Sequence, residues 1–230
     1  MKRLTILFLI LSICLQPAFA EESISRFISH YNAETENYVP QNKSGSDTVF
    51  ADLIGFEWAH QSIYALAAEN IVSGRAKGVF APGDNVKIKE FIKLLVLVCG
   101  VYDEEAESDF LNLDKNDWSY HYISSAKKSG ILDFLENSTD FDAYITREQM
   151  AVMCAKALEF SGFESKGGYD VLFADDDQIE YQNKRYIYAL KNLQIVSGMG
   201  DGSFLPKQSL RRCDSAVIIY KVQNLIKNSF

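Results

Sequence analysis

The sequence predicts a mainly α-helical fold in which one helix–loop–helix unit occurs three times. A set of landmarks recurs in a fixed order, and in its first copy it comprises Phe50-Ala-Asp52, Trp58, Ile71, Gly74 and Phe80-Ala-Pro82. Ile71, Ile131 and Ile195 mark the same point of each copy and are 60 and then 64 residues apart. Apolar side chains recur at helical spacing on both sides of each loop. Because one helix pair cannot bury its apolar face alone, we expect the three copies to close around a single core.

The N-terminus has the pattern of a secretory signal peptide. Lys2 and Arg3 precede an apolar run that ends at Leu15, and Ala18-Phe19-Ala20 supplies the small residues of a cleavage site. The run is too short to span a bilayer comfortably. We therefore predict a signal peptide at residues 1–20, cleavage after Ala20, secretion without a membrane span, and a polar leader at residues 21–48.

The first copy, residues 49–102, contains two helical patterns. Trp58, Ile63 and Leu66 recur near helical spacing, and Gly74 ends this first helix and opens a loop. A second and strongly apolar helix face follows the loop.

Residues 110–161 and 172–230 repeat the same order and form the second and third copies. Ile123 and Ile187 stand where Ile63 stands in the first helix. The helices are therefore predicted from periodicity alone.

Charge and cysteine usage exclude several classes of protein. The chain has 23 basic and 31 acidic side chains, and loss of Lys2 and Arg3 would leave 21 basic ones and a formal charge of −10. Such a surface repels nucleic acid. Cys99, Cys154 and Cys213 match neither a zinc site nor a redox pair, so we interpret them as small apolar residues, with one disulfide between two of them left open. No catalytic, metal-binding or cofactor motif occurs, and we expect no enzyme and no cofactor.

The repeat resembles the S-layer homology domain, whose pattern is an F-x-D opening, an aromatic W-A, a G-I-x-x-G turn, an F-x-P loop and an I-T-R-A-E-F segment. Phe50-Ala-Asp52 with Trp58-Ala59 matches the opening, the stretch from Gly198 to Pro206 matches the loop, and Ile145-Thr146-Arg147 matches the last segment. The resemblance implies a pseudo-threefold bundle with three inner and three outer helices. It also implies an exported, non-enzymatic envelope protein that attaches to an anionic secondary cell-wall polysaccharide or peptidoglycan-linked polymer, often one with pyruvate ketals.

In this family the I-T-R-A-E segment lines grooves that hold the polymer. The resemblance therefore assigns polymer binding to the residues that fill this segment, namely Arg212, Arg147, Arg211, Lys87, Lys89, Asp214 and Glu90. An arginine can hold a carboxylate with two parallel hydrogen bonds, whereas a lysine offers only a point charge. We rank Arg212 and then Arg147 first, because Ile88 occupies the arginine position of the first copy and Gln149 replaces the glutamate of the second.

Each of these assignments has a structural alternative. Either arginine would also be explained by an ion pair with a carboxylate of a neighbouring copy, and Thr146 is interpreted as a helix N-cap. Trp58 and Trp118, with Tyr181 in the third copy, would suit a sugar platform, but we favour core packing for them.

The acidic residues that open two of the copies complete the candidate site. Asp52 and Asp175 are predicted either to cap the first helices or to reach a groove.

Two other functions compete with polymer binding. Ile88, Gln149 and the altered loop from Asp133 to Asp142 suggest copies that have lost glycan binding and contact another envelope protein instead. A wall-degrading enzyme with Glu90 and Asp214 as paired carboxylates is a more distant hypothesis.

Overall fold

The computed structural model describes residues 50–163 and 171–229, so the predicted signal peptide and leader lie outside the described residues. The described part contains six α-helices and two short 3₁₀ helices, Glu57–Ala59 and Asp176–Gln178. The α-helices are α1 His60–Ala68, α2 Ile88–Cys99, α3 Tyr120–Lys128, α4 Arg147–Phe160, α5 Tyr181–Asn192 and α6 Arg212–Lys227. Only isolated β-bridges, and no strands, occur within these residues. The prediction of a mainly α-helical class is confirmed.

The second helix of each copy lies at the centre. Helices α2, α4 and α6 contact one another, while α1 packs on α6, α3 on α2 and α5 on α4. Each first helix therefore packs against the second helix of another copy. One continuous core results, and its members Phe91, Ile123, Met150, Ile187 and Ile219 are fully buried.

A closed ring of backbone hydrogen bonds joins the three copies just before their second helices. The Ile145 N–H donates to the Val86 carbonyl over 2.9 Å, the Leu210 N–H to Ile145 over 3.1 Å, and the Val86 N–H to Leu210 over 2.9 Å. Such a ring satisfies buried backbone groups that no regular strand pairs. It is the kind of contact that pseudo-threefold closure requires, and the symmetry itself stays a prediction.

Reciprocal caps start the inner helices. Thr146 accepts a hydrogen bond from the Gln149 N–H at 3.2 Å, and the Gln149 side chain accepts one from the Thr146 N–H at 3.0 Å. The predicted role of Thr146 as N-cap is confirmed. Glu90 accepts the Lys87 N–H at 3.0 Å in the same way. Gln149 of the second copy therefore makes the same cap as Glu90 of the first.

The three cysteines behave as apolar residues. Cys154 and Cys213 are buried in the core, Cys99 is half-buried against it, and all three are free thiols. Burial raises the pKa of Cys99 and that of Cys213 to about 11. Within the described ranges, no helix is both long and apolar enough to cross a membrane.

Candidate functional site

One groove brings several predicted residues together. Two neighbouring cavities share Arg75, Glu90 and Trp118, and together they form what we call the Arg212 groove. The charged and aromatic residues that line it are Arg75, Phe80, Asp84, Lys87, Lys89, Glu90, Lys93, Trp118, Tyr144 and Arg212. The groove lies where the first-copy loop meets α2, the start of α6 and Trp118, which is two residues before α3. All three copies therefore contribute to it.

Arg212 is fixed by the loop of the first copy. Its Nε donates to the Phe80 carbonyl at 3.0 Å and its Nη2 to the Ser73 carbonyl at 2.9 Å. The guanidinium lies 4.7 Å from the centre of the Phe80 ring. Burial lowers the pKa of Arg212, and the charge of Arg75 lowers it further. Two of the five N–H donors are used in these bonds, which leaves donors that can reach a ligand.

Arg75 is a groove residue that the sequence did not reveal. Its Nη1 lies 2.5 Å from Glu90 Oε1 and its Nη2 lies 3.2 Å from Glu90 Oε2, so the two side chains form a bidentate pair. Burial would raise the pKa of Glu90, but the hydrogen bonds from Arg75 and from the Lys87 N–H lower it. The first copy has the glutamate of the I-T-R-A-E segment, Glu90, but not its arginine. This combination is the sequence signal that could have indicated another basic partner for Glu90.

The lowered pKa of Glu90 argues against the hypothesis of a wall-degrading enzyme. A general acid needs a raised pKa, and Glu90 has the opposite shift. Asp214 is held by Arg211, whose Nε lies 2.8 Å from Asp214 Oδ2. Neither carboxylate is arranged as the acid of a glycosidase.

The two lysines of the first copy join it to the second copy. Lys87 Nζ lies 2.7 Å from Asp142 Oδ1, and Lys89 Nζ lies 2.9 Å from Asp117 Oδ2 and 3.0 Å from Asp142 Oδ1. Lys89 is 9% exposed and its Nζ is 5.8 Å from the centre of the Trp118 ring. Carboxylates therefore neutralise both lysines, and Lys89 also lies beside the Trp118 ring.

This ion cluster predicts an acid-sensitive junction. Burial would raise the pKa of Asp117, but hydrogen bonds from Ser119 and Lys89 lower it to about 2. Because the folded pKa lies below the unfolded one, the cluster stabilises the fold above about pH 4 and loses this contribution as the pH falls toward about 2. Between about pH 6 and about pH 2.5, we expect wild type to lose about 1–2 kcal/mol more stability in urea unfolding than Asp117→Asn.

The control is Asp109→Asn, which changes an exposed carboxylate in the loop before the cluster. This variant should follow the wild-type dependence on pH. Parallel curves for wild type and Asp117→Asn would contradict the assignment.

Arg147 repeats the arrangement of Arg212 at another junction. Its Nε donates to the Phe204 carbonyl at 2.8 Å and its Nη2 to the Ser197 carbonyl at 3.4 Å, and the guanidinium lies 5.0 Å from the centre of the Phe204 ring. The residue is only 9% exposed, and burial lowers its pKa. Both arginines thus bind backbone carbonyls, and among the described residues neither forms the ion pair that we considered as the structural alternative.

The loop of the second copy lacks the arginines of the Arg212 groove at the matching positions, although Phe134 lines another cavity together with Lys156 and Tyr181. Phe134 and Leu135 stand where Gly74 and Arg75 stand in the first copy, and both pack against the core. Ile88, in the position of the arginine, is 3% exposed. Apolar side chains therefore pack at the positions that correspond to Arg75 and Arg212.

Our interpretation of the recurring aromatics as core residues is wrong. Trp58 is 54% exposed, Trp118 is 52% exposed and Tyr181 is 88% exposed. The small residue after each tryptophan, Ala59 or Ser119, is fully buried and takes the inward position instead. Of the three aromatics, only Trp118 lines the Arg212 groove.

The interpretation of Asp52 and Asp175 as helix caps is also wrong. Asp52 accepts hydrogen bonds from the Phe80 N–H at 2.9 Å and the Ala81 N–H at 2.7 Å. Asp175 accepts them in the same way from Phe204 at 2.7 Å and Leu205 at 2.8 Å. Each carboxylate therefore clamps the loop whose phenylalanine holds an arginine.

Comparison with known proteins shows what the repeats are similar to. The family model described as S-layer homology domain matches residues 49–91 and 172–212, which lie in the first and third copies. The chain is 28% identical over 175 residues to an amylopullulanase of Thermoanaerobacterium thermosulfurigenes, a match that covers 76% of this chain and 9% of that protein. It is 27% identical over 176 residues to S-layer protein EA1 of Bacillus anthracis, covering 74% of this chain and 19% of that protein.

A third relative, S-layer protein sap of Bacillus anthracis, is 24% identical over 173 residues, covering 75% of this chain and 21% of that protein. The chain thus spans about a tenth to a fifth of the length of these relatives. The first and third copies, whose loops hold Arg212 and Arg147, match the S-layer homology domain, which is a non-catalytic module for cell-surface anchoring.

Proposed function

We propose that this chain attaches non-covalently to an anionic secondary cell-wall polymer, which it binds in the Arg212 groove. The observation behind the proposal is that two guanidinium groups, those of Arg212 and Arg75, lie beside the exposed face of Trp118 in one open groove. The proposal includes export by the signal peptide at residues 1–20 and the three-copy organisation given above.

The charge of the protein makes such a local site necessary. At a formal net charge of −8, the protein surface repels an anionic polymer at long range. Salt largely screens this repulsion between charges that are more than about 10 Å apart. Close to the groove, a guanidinium fork can hold a carboxylate through two parallel hydrogen bonds. The carboxylate of a pyruvate ketal on a sugar has this chemistry, and the Trp118 ring offers an apolar face to the same sugar.

A second and weaker site is proposed at Arg147. Its guanidinium is more deeply buried than that of Arg212, and Met199 stands at the position of Arg75 in the third copy. A repeating polymer presents its next unit at high local concentration, so even a weak second site increases the overall affinity.

The test is sedimentation of residues 21–230 with isolated cell walls before and after chemical removal of the non-peptidoglycan polymer. We expect Arg212→Lys and Arg75→Met each to reduce the bound fraction about tenfold, because each variant loses a guanidinium that can form two parallel hydrogen bonds. Arg212→Lys loses this group but keeps the positive charge. The control is Lys115→Met, which removes an exposed cation that pairs with Glu107 outside the groove.

The outcomes separate two functions. Binding that disappears with the polymer and with either arginine supports polymer attachment. Binding that withstands both treatments supports the second candidate, an interaction module for another envelope protein. The observation favouring that candidate is the apolar packing of Phe134 and Ile88 where the second copy would need a groove.

A further inference from the structure

Two carboxylates line the Arg212 groove, those of Asp84 and Glu90, and Glu90 is bound to one of its two arginines. Both oxygens of Glu90 contact the Arg75 guanidinium, and the charge of Glu90 also acts on Arg212. The Glu90 side chain is 19% exposed, while that of Arg75 is 42% exposed. The fork of Arg75 is therefore already occupied by the type of group that an anionic ligand would present.

We propose that Glu90 is an internal competitor that sets the affinity and the charge selectivity of the groove. This inference rests on the proposed function of the groove. A carboxylate ligand that takes the Nη1–Nη2 edge of Arg75 must displace Glu90, because one edge of a guanidinium holds one carboxylate in bidentate geometry. A neutral sugar gains nothing from that exchange and leaves the Arg75–Glu90 pair intact.

The arrangement allows this exchange without unfolding the helix. Glu90 makes two separate contributions, since it accepts the Lys87 N–H at the start of α2 and it also binds Arg75. The exposed Arg75 side chain can swing from Glu90 to a ligand while Glu90 keeps its cap on the helix.

The other two copies show that the helix cap and the ion pair with an arginine at the position of Arg75 can occur separately. Gln149 has the position of Glu90 in the second copy and caps Thr146 at 3.0 Å without a negative charge. Met199 has the position of Arg75 in the third copy, where Asp214 pairs instead with Arg211 at 2.8 Å. Glu90→Gln and Arg75→Met thus introduce residues that the same protein already uses at these positions.

A double-mutant cycle tests the proposal with residues 21–230 and two probes, a monosaccharide pyruvate ketal and its methyl ester. Calorimetry should show that Glu90→Gln binds the ketal about fivefold to tenfold more tightly than wild type, since a competing charge is removed. The uncharged ester should show no gain. In the Arg75→Met background, Glu90→Gln should give less than about a twofold gain.

The thermal midpoint of Glu90→Gln should stay close to that of wild type, because glutamine retains the cap. Unchanged or weaker binding of the ketal by Glu90→Gln overturns the proposal. An equal gain in the Arg75→Met background overturns it too, because the effect would then arise from overall charge. If wild type binds neither the ketal nor cell walls, the proposed function fails, and the competitor role fails with it.

Discussion

Gly74→Ala is expected to destabilise the fold by about 3 kcal/mol and to abolish wall binding, because the loop beneath the Arg212 groove has no space for a methyl group. A Cβ at Gly74 would lie 2.6 Å from the Val79 carbonyl oxygen, 2.9 Å from that of Ala76 and 2.9 Å from Phe50 Cε1. Two of these three atoms belong to the backbone and can move only with the loop. Urea unfolding measures the loss of stability.

The effect on binding follows from the neighbouring residue. The Arg75 N–H donates to the Val79 carbonyl at 2.9 Å, so a displaced Val79 also displaces Arg75. The bound fraction should therefore fall even at temperatures where Gly74→Ala remains folded. Sedimentation with cell walls under those conditions separates this effect from simple unfolding.

Two glycines of the same protein serve as graded controls. A Cβ at Gly198 would meet backbone oxygens at 3.3 Å, whereas one at Gly83 has no atom within 4 Å. Gly198→Ala should cost about 1 kcal/mol, and Gly83→Ala should stay within about 0.5 kcal/mol of wild type. Equal stability of the Gly74 and Gly83 variants would show that the loop relaxes around the added methyl group.

The parts of the fold that depend on periodicity were predictable. Ile63, Ile123 and Ile187 mark the inward face of each first helix, and all three are fully buried. The repeat also predicted one shared core. Helical spacing and the burial of an apolar stripe are properties of short segments, so the sequence contains them directly.

The site depends on contacts between copies, which short segments do not encode. Arg212 binds the Phe80 carbonyl 132 positions earlier in the chain, and that bond exists only because α6 packs beside the first-copy loop. Trp58 and Trp118 were misassigned because the exposed indole and the buried small residue, Ala59 or Ser119, are neighbours in the sequence just before the helix. Large aromatics favour burial on average, and here a small residue has the inward position instead.

Asp52→Ala should destabilise the fold by about 3 kcal/mol, since it leaves the N–H groups of Phe80 and Ala81 without their charged acceptor. Ala81 has a φ of 60°, a strained value for a residue with a side chain, so the loop depends on this clamp. Asp52→Asn should cost about half as much, because one amide oxygen remains to accept a hydrogen bond. Urea unfolding near neutral pH provides the comparison.

Asp175→Ala is the matched variant for Asp52→Ala, because Asp175 clamps Phe204 and Leu205, and Leu205 has a φ of 58°. The two variants should lose similar stability, but they release different arginines. Phe80 holds Arg212 and Phe204 holds Arg147, so Asp52→Ala should reduce wall binding more than Asp175→Ala at equal folded fraction. The opposite order would transfer the principal site from the Arg212 groove to Arg147, and equal losses would mean that the two junctions bind the wall together.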